Sequence, residues 1–204
     1  MVQRSVHRNL TVSLYLCMTA IALMFSATLA LAQQAGRPAV PDSSATKPMA
    51  SADEAYRKGK EFDNKQNYTE AMRWYRMAAD TGNAEAQVAV GNLYGEGQGV
   101  PRDYSEALRW FRMAAARGNA EAQNDIGMFY LSGWGVPQDY AEAMRWLRKA
   151  ADQGNELAQR NIGVLYLQGL GVKPDRAEAI RWFRKAADKG DEDAKNALKF
   201  LGVK

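Results

Sequence analysis

Tryptophan recurs at intervals of 36 residues along the chain, and the sequence around it returns almost unchanged each time. The four residues are Trp74, Trp110, Trp146 and Trp182. Around them lie three complete units at 84–119, 120–155 and 156–191, a shorter unit at 52–83 and a half-unit at 192–204. A unit of this length can bury its apolar side only against its neighbours, so the period predicts a stacked repeat protein.

Residues 1–32 lie outside the repeats and have the features of a secretory signal. Arg4 and Arg8 give a positive start, an uncharged stretch follows from Leu10 to Leu31, and Ala30-Leu31-Ala32 has the small-x-small pattern of a cleavage site. We therefore expect cleavage after Ala32 and a periplasmic or secreted protein. The stretch is also long enough to span a bilayer, so an anchor that stays attached is the alternative.

The mature chain has little excess charge and no cysteine. Removing residues 1–32 takes away Arg4 and Arg8 but none of the 23 acidic residues. A nucleic-acid-binding domain usually has a larger positive excess, so we expect no nucleic-acid partner. The only cysteine and the only histidine, Cys17 and His7, also leave with the signal. We therefore expect no disulfide, no metal site and no cofactor.

Residues 33–51 and 52–204 differ in composition. The first range holds three prolines among small and polar residues, without an apolar period, and this composition is typical of a flexible linker. The second range contains all the repeats. We therefore predict one repeat domain at 52–204 behind a linker.

Each unit has the pattern of two helices joined by a glycine-rich loop. An Asn or Asp followed three residues later by Glu opens the second helix, as in Asp103-Tyr-Ser-Glu106, and this spacing is a variant of the capping box. A glycine such as Gly118 after the helix predicts a left-handed C-terminal cap. Apolar residues at helical spacing predict one buried stripe, formed by Ala107, Trp110, Phe111, Ala114 and Ala115, and in the next unit by Ala143, Trp146, Leu147, Ala150 and Ala151.

The first helix of each complete unit has a glycine near its middle, at Gly91, Gly127 and Gly163. A glycine in this position costs about 1 kcal/mol relative to alanine. The recurrence of this glycine in every complete unit predicts that another helix passes so close that no side chain fits at this position.

These motifs resemble the Sel-one-like repeat family, relatives of the tetratricopeptide repeat with a longer loop between the helices. The resemblance covers 52–204 and rests on A-x-A-Q-x-x-[VI]-G-x-x-Y, G-x-G-V, A-[LMI]-R-W-[FL]-R-x-A-A and the closing G-[ND]. It implies an all-α fold, a right-handed α-solenoid of stacked antiparallel helix pairs that is used mainly as a protein-binding adaptor. The unit 52–83 departs from the pattern in its short loop, and we interpret it as a terminal cap.

The resemblance also implies where a partner would bind, because the first helices of such arrays line a concave groove through positions 2, 5, 9 and 12 of each unit. The residues at these positions vary between units, while the packing positions barely change. Their mixture of apolar and polar side chains favours an extended or helical peptide over a small polar substrate. The predicted protein-binding groove comprises Tyr56, Lys60, Glu85, Val88, Asn92, Glu121, Asn124, Met128, Leu157, Arg160 and Val164.

Two surface features have more than one interpretation. Trp134 stands in a loop where other units have Gln98 and Leu170, and it is either a hot-spot anchor for a partner or a residue tucked against the adjacent loop. Arginines also recur in pairs along the second helices and predict a basic ridge. We interpret this ridge as a solvated face rather than an anion site. The pairs are Arg73/Arg76, Arg109/Arg112, Arg145/Arg148 and Arg181/Arg184.

The sequence favours a binding protein over an enzyme. Ser44-Ala-Thr-Lys47 matches the nucleophile motif of penicillin-recognising enzymes, but it lies in the linker without the partner motifs. We therefore expect a non-catalytic adaptor for a protein or peptide of the cell envelope, without stable membrane insertion after cleavage. Two alternatives stay open: a penicillin-recognising or cell-wall-ligand hydrolase or binder, and a self-associating envelope scaffold. The oligomeric state is not determined by the sequence.

Overall fold

The computed structural model describes residues 51–203. The secretory signal, its cleavage site, the linker up to residue 50 and the Ser44-Lys47 motif lie outside this range. Within residues 51–203 all regular secondary structure is helical. The helices are α1 (Ala52–Asn64), α2 (Tyr68–Asp80), α3 (Ala84–Glu96), α4 (Tyr104–Ala116), α5 (Ala120–Ser132), α6 (Tyr140–Asp152), α7 (Glu156–Gln168), α8 (Arg176–Asp188) and α9 (Glu192–Phe200).

The helices form antiparallel pairs, with one pair for each repeat unit and α9 as the closing half-unit. The most extensive contacts join consecutive helices, first within a pair and then from one pair to the next. The repeat domain is a right-handed α-solenoid of stacked helix pairs, and the predicted fold class is confirmed.

Side-chain caps begin the second helices as predicted, but only one half of the capping box forms. The Asp103 carboxylate accepts hydrogen bonds from the backbone N–H groups of Ser105 and Glu106, at 2.9 and 3.0 Å. The N–H of Asp103 itself donates to the Tyr94 carbonyl at 2.9 Å. Because that donor is already satisfied, the Glu106 side chain turns instead to Arg109, with an N to O distance of 2.8 Å.

The buried stripe of the second helices is confirmed for the alanines and for Phe111, which is 2% exposed. For the tryptophans the prediction is only partly right. Trp110 is buried, but Trp146 is half-buried, and the Lys149 ammonium lies 4.2 Å from the centre of its ring. Trp146 packs against the core of α4 and α5. Helix α5 pairs with α6 in the same unit, whereas α4 belongs to the preceding unit. Helical spacing predicts the face of α6 on which Trp146 lies. How deeply the Trp146 side chain is buried depends on the helices packed against that face, including α4 of the preceding unit.

The glycines in the first helices permit the predicted close approach of the second helices. A Cβ atom added to Gly91 would lie 2.6 Å from Cε1 of Phe111, and one added to Gly127 would lie 2.8 Å from Cγ of Leu147. Contacts this short do not occur without displacement, so the second helix packs directly on the glycine backbone. The prediction from the mid-helix glycines is confirmed.

The loop between the two helices of each complete unit packs back on the preceding unit. Gly135 has a φ of +67°, a value that favours glycine, and a Cβ there would lie 2.9 Å from the carbonyl carbon of Tyr104. The loop after α5 therefore lies directly against the start of α4. This contact brings the neighbouring Trp134 to the ring of Tyr104.

Candidate protein-binding groove

Two adjoining clefts lie along the first helices of the N-terminal units. The larger has a volume of about 630 Å³ and the smaller one of about 460 Å³. Both are bordered by Asn92, Glu96 and Gln98, at the end of α3 and the start of its loop. The two clefts together can therefore hold a ligand longer than either one.

Most of the predicted groove residues line these clefts. In the smaller cleft lie Tyr56, Lys60, Glu85, Val88, Asn92 and Glu121. In the larger cleft Asn92 is joined by Met128 and by Trp134. The structure thus brings together residues of α1, α3 and α5 that are separated by up to two repeat units in sequence.

Two predicted groove residues, Val88 and Asn124, are buried, although Val88 also borders the smaller cleft. Val88 packs against the core of α4 and α5. Asn124 is 5% exposed: its Nδ2 donates to Oδ1 of Asp125 at 3.1 Å, and its Oδ1 accepts from Nδ2 of Asn161 at 3.1 Å. Asn124 therefore links α5 to α7. A position in the sequence of a helix does not show which neighbouring helix covers it.

The C-terminal members of the predicted set lie outside the two clefts. Arg160 is bound within the chain, since its Nη1 lies 3.0 Å from Oδ2 of Asp191 and 2.6 Å from Oδ2 of Asp193. Val164 packs against the core of α8 and α9, while Leu157 is exposed. Arg160 connects α7 to the closing helix α9 and is not free to meet a partner in this conformation.

Trp134 forms one wall of the larger cleft together with other aromatic rings. Its ring stacks on Tyr104 with a centroid distance of 5.4 Å and an interplanar angle of 7°. Phe129 meets Trp134 edge-on at 5.7 Å, and Phe111 meets Phe129 edge-on at 5.4 Å. Trp134 nevertheless remains 43% exposed. The Trp134 ring thus packs against Tyr104, in agreement with the second interpretation, while its role as an anchor for a partner stays a prediction.

Sequence reasoning missed two carboxylates of the larger cleft, Glu96 and Asp125. Neither occupies one of the groove positions that the resemblance implies. One signal was available for Asp125, because the same position holds Arg57, Ala89 and Asn161 in the other units. The carboxylate at this position is thus particular to the unit 120–155.

The clefts have a negative charge that the chain does not fully neutralise. Five acidic side chains and two basic ones line them: Asp63, Glu85, Glu96, Glu121 and Asp125, with Lys60 and Arg102. The pKa of Asp125 is raised to about 7. Burial is the main cause, the hydrogen bond from Asn124 lowers the pKa, and the nearby Glu121 carboxylate raises it. Burial and the proximity of Glu85 likewise raise the pKa of Glu121. Both shifts express the cost of holding negative charge together away from water.

The arginine pairs have partners within the chain. The first arginine of each pair lies next to the glutamate three residues before it, in the pairs Glu70–Arg73, Glu106–Arg109, Glu142–Arg145 and Glu178–Arg181. In the first three pairs the second arginine donates to a tyrosine hydroxyl of the next unit, as in the bond of 2.8 Å from Nη2 of Arg76 to Tyr94. Arg112 and Arg148 make the same bond to Tyr130 and Tyr166. These contacts agree with the interpretation of the ridge as a solvated face with a structural role.

Two chemical properties of residues 51–203 bear on the class of site. In this part of the chain, no cluster of three or more acidic, histidine or cysteine side chains is arranged to hold a metal ion. No helix in the same range combines the length and apolar character needed to cross a membrane.

The Sel1 repeat profile matches four consecutive stretches of the chain, at 49–83, 84–119, 120–155 and 157–191. These stretches make up more than half of the sequence, and the chain belongs to the Sel1 repeat family. Solenoids of this family are generally non-catalytic scaffolds that bind other proteins. None of the curated proteins matches the sequence.

Several solved structures are similar to this one. A protective antigen of uropathogenic Escherichia coli with an SLR fold is 36% identical, with a TM-score of 0.67 over 74% of this chain and 34% of that one. A Sel1 repeat protein from Oxalobacter formigenes is 35% identical, with a TM-score of 0.70 over 75% and 65% of the two chains. Cysteine-rich protein B of Helicobacter pylori, at 21% identity and a TM-score of 0.51, shares the fold. The chain thus spans less than two thirds of either of the first two proteins.

Proposed function

We propose that the mature protein is an exported, non-catalytic adaptor that holds a partner polypeptide of the cell envelope in the groove formed by the two clefts. The main support is that both clefts adjoin at Asn92, Glu96 and Gln98 and contain most of the groove residues that the repeat pattern implies. Export is supported by the apolar segment and small-residue cleavage site at 1–32. The periplasm, or the medium outside the cell, is then the compartment in which a partner is met.

The shape and lining of the groove favour a polypeptide over a small metabolite. The clefts are open along α1, α3 and α5, and both polar and apolar side chains line them. Interfaces of this kind obtain most of their affinity from a few aromatic or charged anchors surrounded by adaptable contacts. Trp134 and the carboxylates are suitable anchors.

Photocrosslinking in the native envelope tests this function. A photoreactive amino acid is placed at Glu85 or Asn92 in the groove, and at Arg145 or Arg181 on the ridge as matched controls that are exposed in the same fold. We expect the groove positions to capture one partner and the ridge positions to capture none. Capture from the ridge alone, or equal capture from both faces, would contradict the proposal.

Self-association is a second candidate, supported by one observation at the end of the array. Phe200 of α9 is 89% exposed, which is unusual for a large aromatic side chain and provides an anchor for another copy. Sedimentation of the protein and of a Phe200→Ser variant tests it. A dimer that Phe200→Ser abolishes would favour the scaffold, and a monomer at all concentrations would exclude association through this end.

A further inference from the structure

The larger cleft combines an aromatic wall with carboxylates, and this combination is particular to the junction between the units 84–119 and 120–155. The wall consists of Trp134, Tyr104 and Phe129, whose rings lie 5.4 to 5.9 Å from one another. Glu96 and Asp125 border the same space. The equivalents of Trp134 in the neighbouring units are Gln98 and Leu170, so the next loops along the array do not supply an indole.

A flat aromatic surface next to a carboxylate attracts organic cations. The faces of the rings carry partial negative charge and attract ammonium or guanidinium groups, and a carboxylate adds a charge-assisted hydrogen bond. The cluster already attracts one cation of the chain itself, because the guanidinium carbon of Arg102 lies 5.9 Å from the centre of the Tyr104 ring. Arg102 lies at the border of the cleft, where its Nη2 donates to the Glu96 carbonyl at 3.4 Å.

The smaller cleft extends the same electrostatic preference. Asp63, Glu85, Glu96 and Glu121 line it, and Lys60 is the basic side chain among them. The Tyr75 hydroxyl donates to Oδ2 of Asp63 at 3.0 Å, but Glu85 and Glu121 form no ion pair among the described residues. A partner segment that passes from one cleft to the other therefore meets carboxylates in both clefts and at Glu96 between them.

We propose that the groove selects a basic polypeptide segment, with one arginine or lysine side chain entering the cleft lined by Trp134, Phe129 and Asp125. This inference rests on the proposed adaptor function and specifies the chemistry of its partner. The aliphatic stem of the inserted side chain lies against the indole, and its charged end reaches the carboxylates. Further basic residues of the segment pair with Glu85 and Glu121 in the smaller cleft.

Charge complementarity favours this occupant over the others that a cleft of this size could hold. An acidic or a purely apolar segment would leave the lining carboxylates without counter-charges while removing them from water, which is costly. Burial, and after it the repulsion from Glu85, raise the pKa of Glu121, and a cation bound between these carboxylates relieves that repulsion. A second copy of this chain is the competing occupant, and the experiment below distinguishes it.

Binding of labelled decapeptides to the purified protein tests the preference. In each peptide glycine alternates with arginine, lysine, norleucine or glutamate, and fluorescence anisotropy measures the dissociation constant. We expect the arginine and lysine peptides to bind at least tenfold more tightly than the norleucine and glutamate peptides. Equal binding of the norleucine peptide, or tighter binding of the glutamate peptide, would overturn the proposal.

Variants assign the binding to the larger cleft. Trp134→Leu restores the residue type of the equivalent Leu170, and Glu96→Gln removes one carboxylate; both side chains are exposed and their loss should not affect folding, which thermal melting checks. Each variant is expected to weaken the arginine peptide about fivefold or more, since a cation over an indole, or a charge-assisted hydrogen bond to a carboxylate, contributes roughly that much. Glu156→Gln, an exposed acid of α7 outside both clefts, is the matched control and should bind as the wild type does. Unchanged binding in Trp134→Leu would overturn the assignment.

The remaining outcomes separate this inference from the adaptor function. If groove crosslinking captures a partner whose binding is insensitive to Trp134→Leu and Glu96→Gln, the adaptor function stands and the basic-segment inference fails. If crosslinking captures no partner at the groove, the adaptor function fails regardless of the peptides. A dimer in sedimentation that Trp134→Leu dissolves would assign the cleft to a second copy and would also overturn the inference.

Discussion

At the scale of single residues, α3 contains two glycines with different surroundings. A Cβ on Gly91 would lie 2.6 Å from the buried Phe111 ring, whereas a Cβ on Gly95 would lie 3.8 Å from Cβ of Ala107, an ordinary contact. We expect Gly91→Ala to destabilise the protein by about 1–3 kcal/mol through overpacking, although alanine is the better helix former. Gly95→Ala should instead stabilise it by up to about 1 kcal/mol. Urea unfolding of both variants measures the difference, and equal effects would contradict the packing described.

Asp125 makes stability depend on pH in a defined window. Burial raises its pKa from 3.8 to about 7 in the folded protein, so between these values the folded state holds more protons at this site than the unfolded state. The contribution of Asp125 to stability is therefore most favourable near pH 4 and is lost as the pH rises to about 7. The neutral Asp125→Asn variant should gain stability over the wild type across this window, with the full gain above pH 7. Thermal melting of both proteins at pH 4, 6 and 8 measures this gain, and a difference that does not change with pH would contradict it.

At the scale of helices, the contact between α7 and α9 holds the end of the array. Arg160 pairs with Asp191 and Asp193, and Asp191 also caps α9 by accepting a hydrogen bond from Ala194 N at 2.7 Å. We expect Arg160→Ala to increase hydrogen exchange in 192–200 at least tenfold while the exchange of α3 to α6 stays unchanged. Arg145→Ala is the control, because its ion pair with Glu142 is exposed and lies within a single helix. Faster exchange throughout the domain would show that α9 does not unfold as a separate element.

The elements could be predicted from the sequence more completely than the contacts between them. The Asp103 and Asp139 caps, the apolar stripe and the mid-helix glycines depend on residues close together in sequence, and periodic repetition makes each signal stronger. The burial of Val88 and Asn124 depends on helices of other units. The ion pairs of Arg160 likewise depend on residues 31 and 33 positions away. No spacing rule within one helix carries that information.

At the scale of the whole molecule, charge is distributed unevenly although the net charge of the chain is only +4. Carboxylates gather in the two clefts, while paired arginines run along the second helices. The sequence predicted the arginine pairs because they recur in every unit. It did not predict the acidic cleft in full, because Glu96 and Asp125 belong to different units and have no acidic equivalents in the other units.

Export is a prediction that rests on residues 1–32. Because the cleavage pattern ends at Ala32, the protein isolated from the envelope or the medium should begin at Gln33. Intact-mass measurement and N-terminal sequencing check this expectation. A protein that retains residues 1–32 and sediments with membranes would show the uncleaved anchor instead, and an Ala32→Arg variant should then behave like the wild type.

The junctions between the units that have paired helices share a set of contacts, and this regularity makes the array modular. The hydrogen bonds of Arg76, Arg112 and Arg148 to tyrosines eighteen residues later join neighbouring units alone. The loop holding Gly171 also meets Tyr140 as the loop holding Gly135 meets Tyr104. A gene with residues 120–155 duplicated in tandem should therefore encode a solenoid one unit longer. In the duplicated loop the copy of Trp134 would stack on the Tyr140 ring. A single insertion would therefore create a second aromatic pocket beside the first.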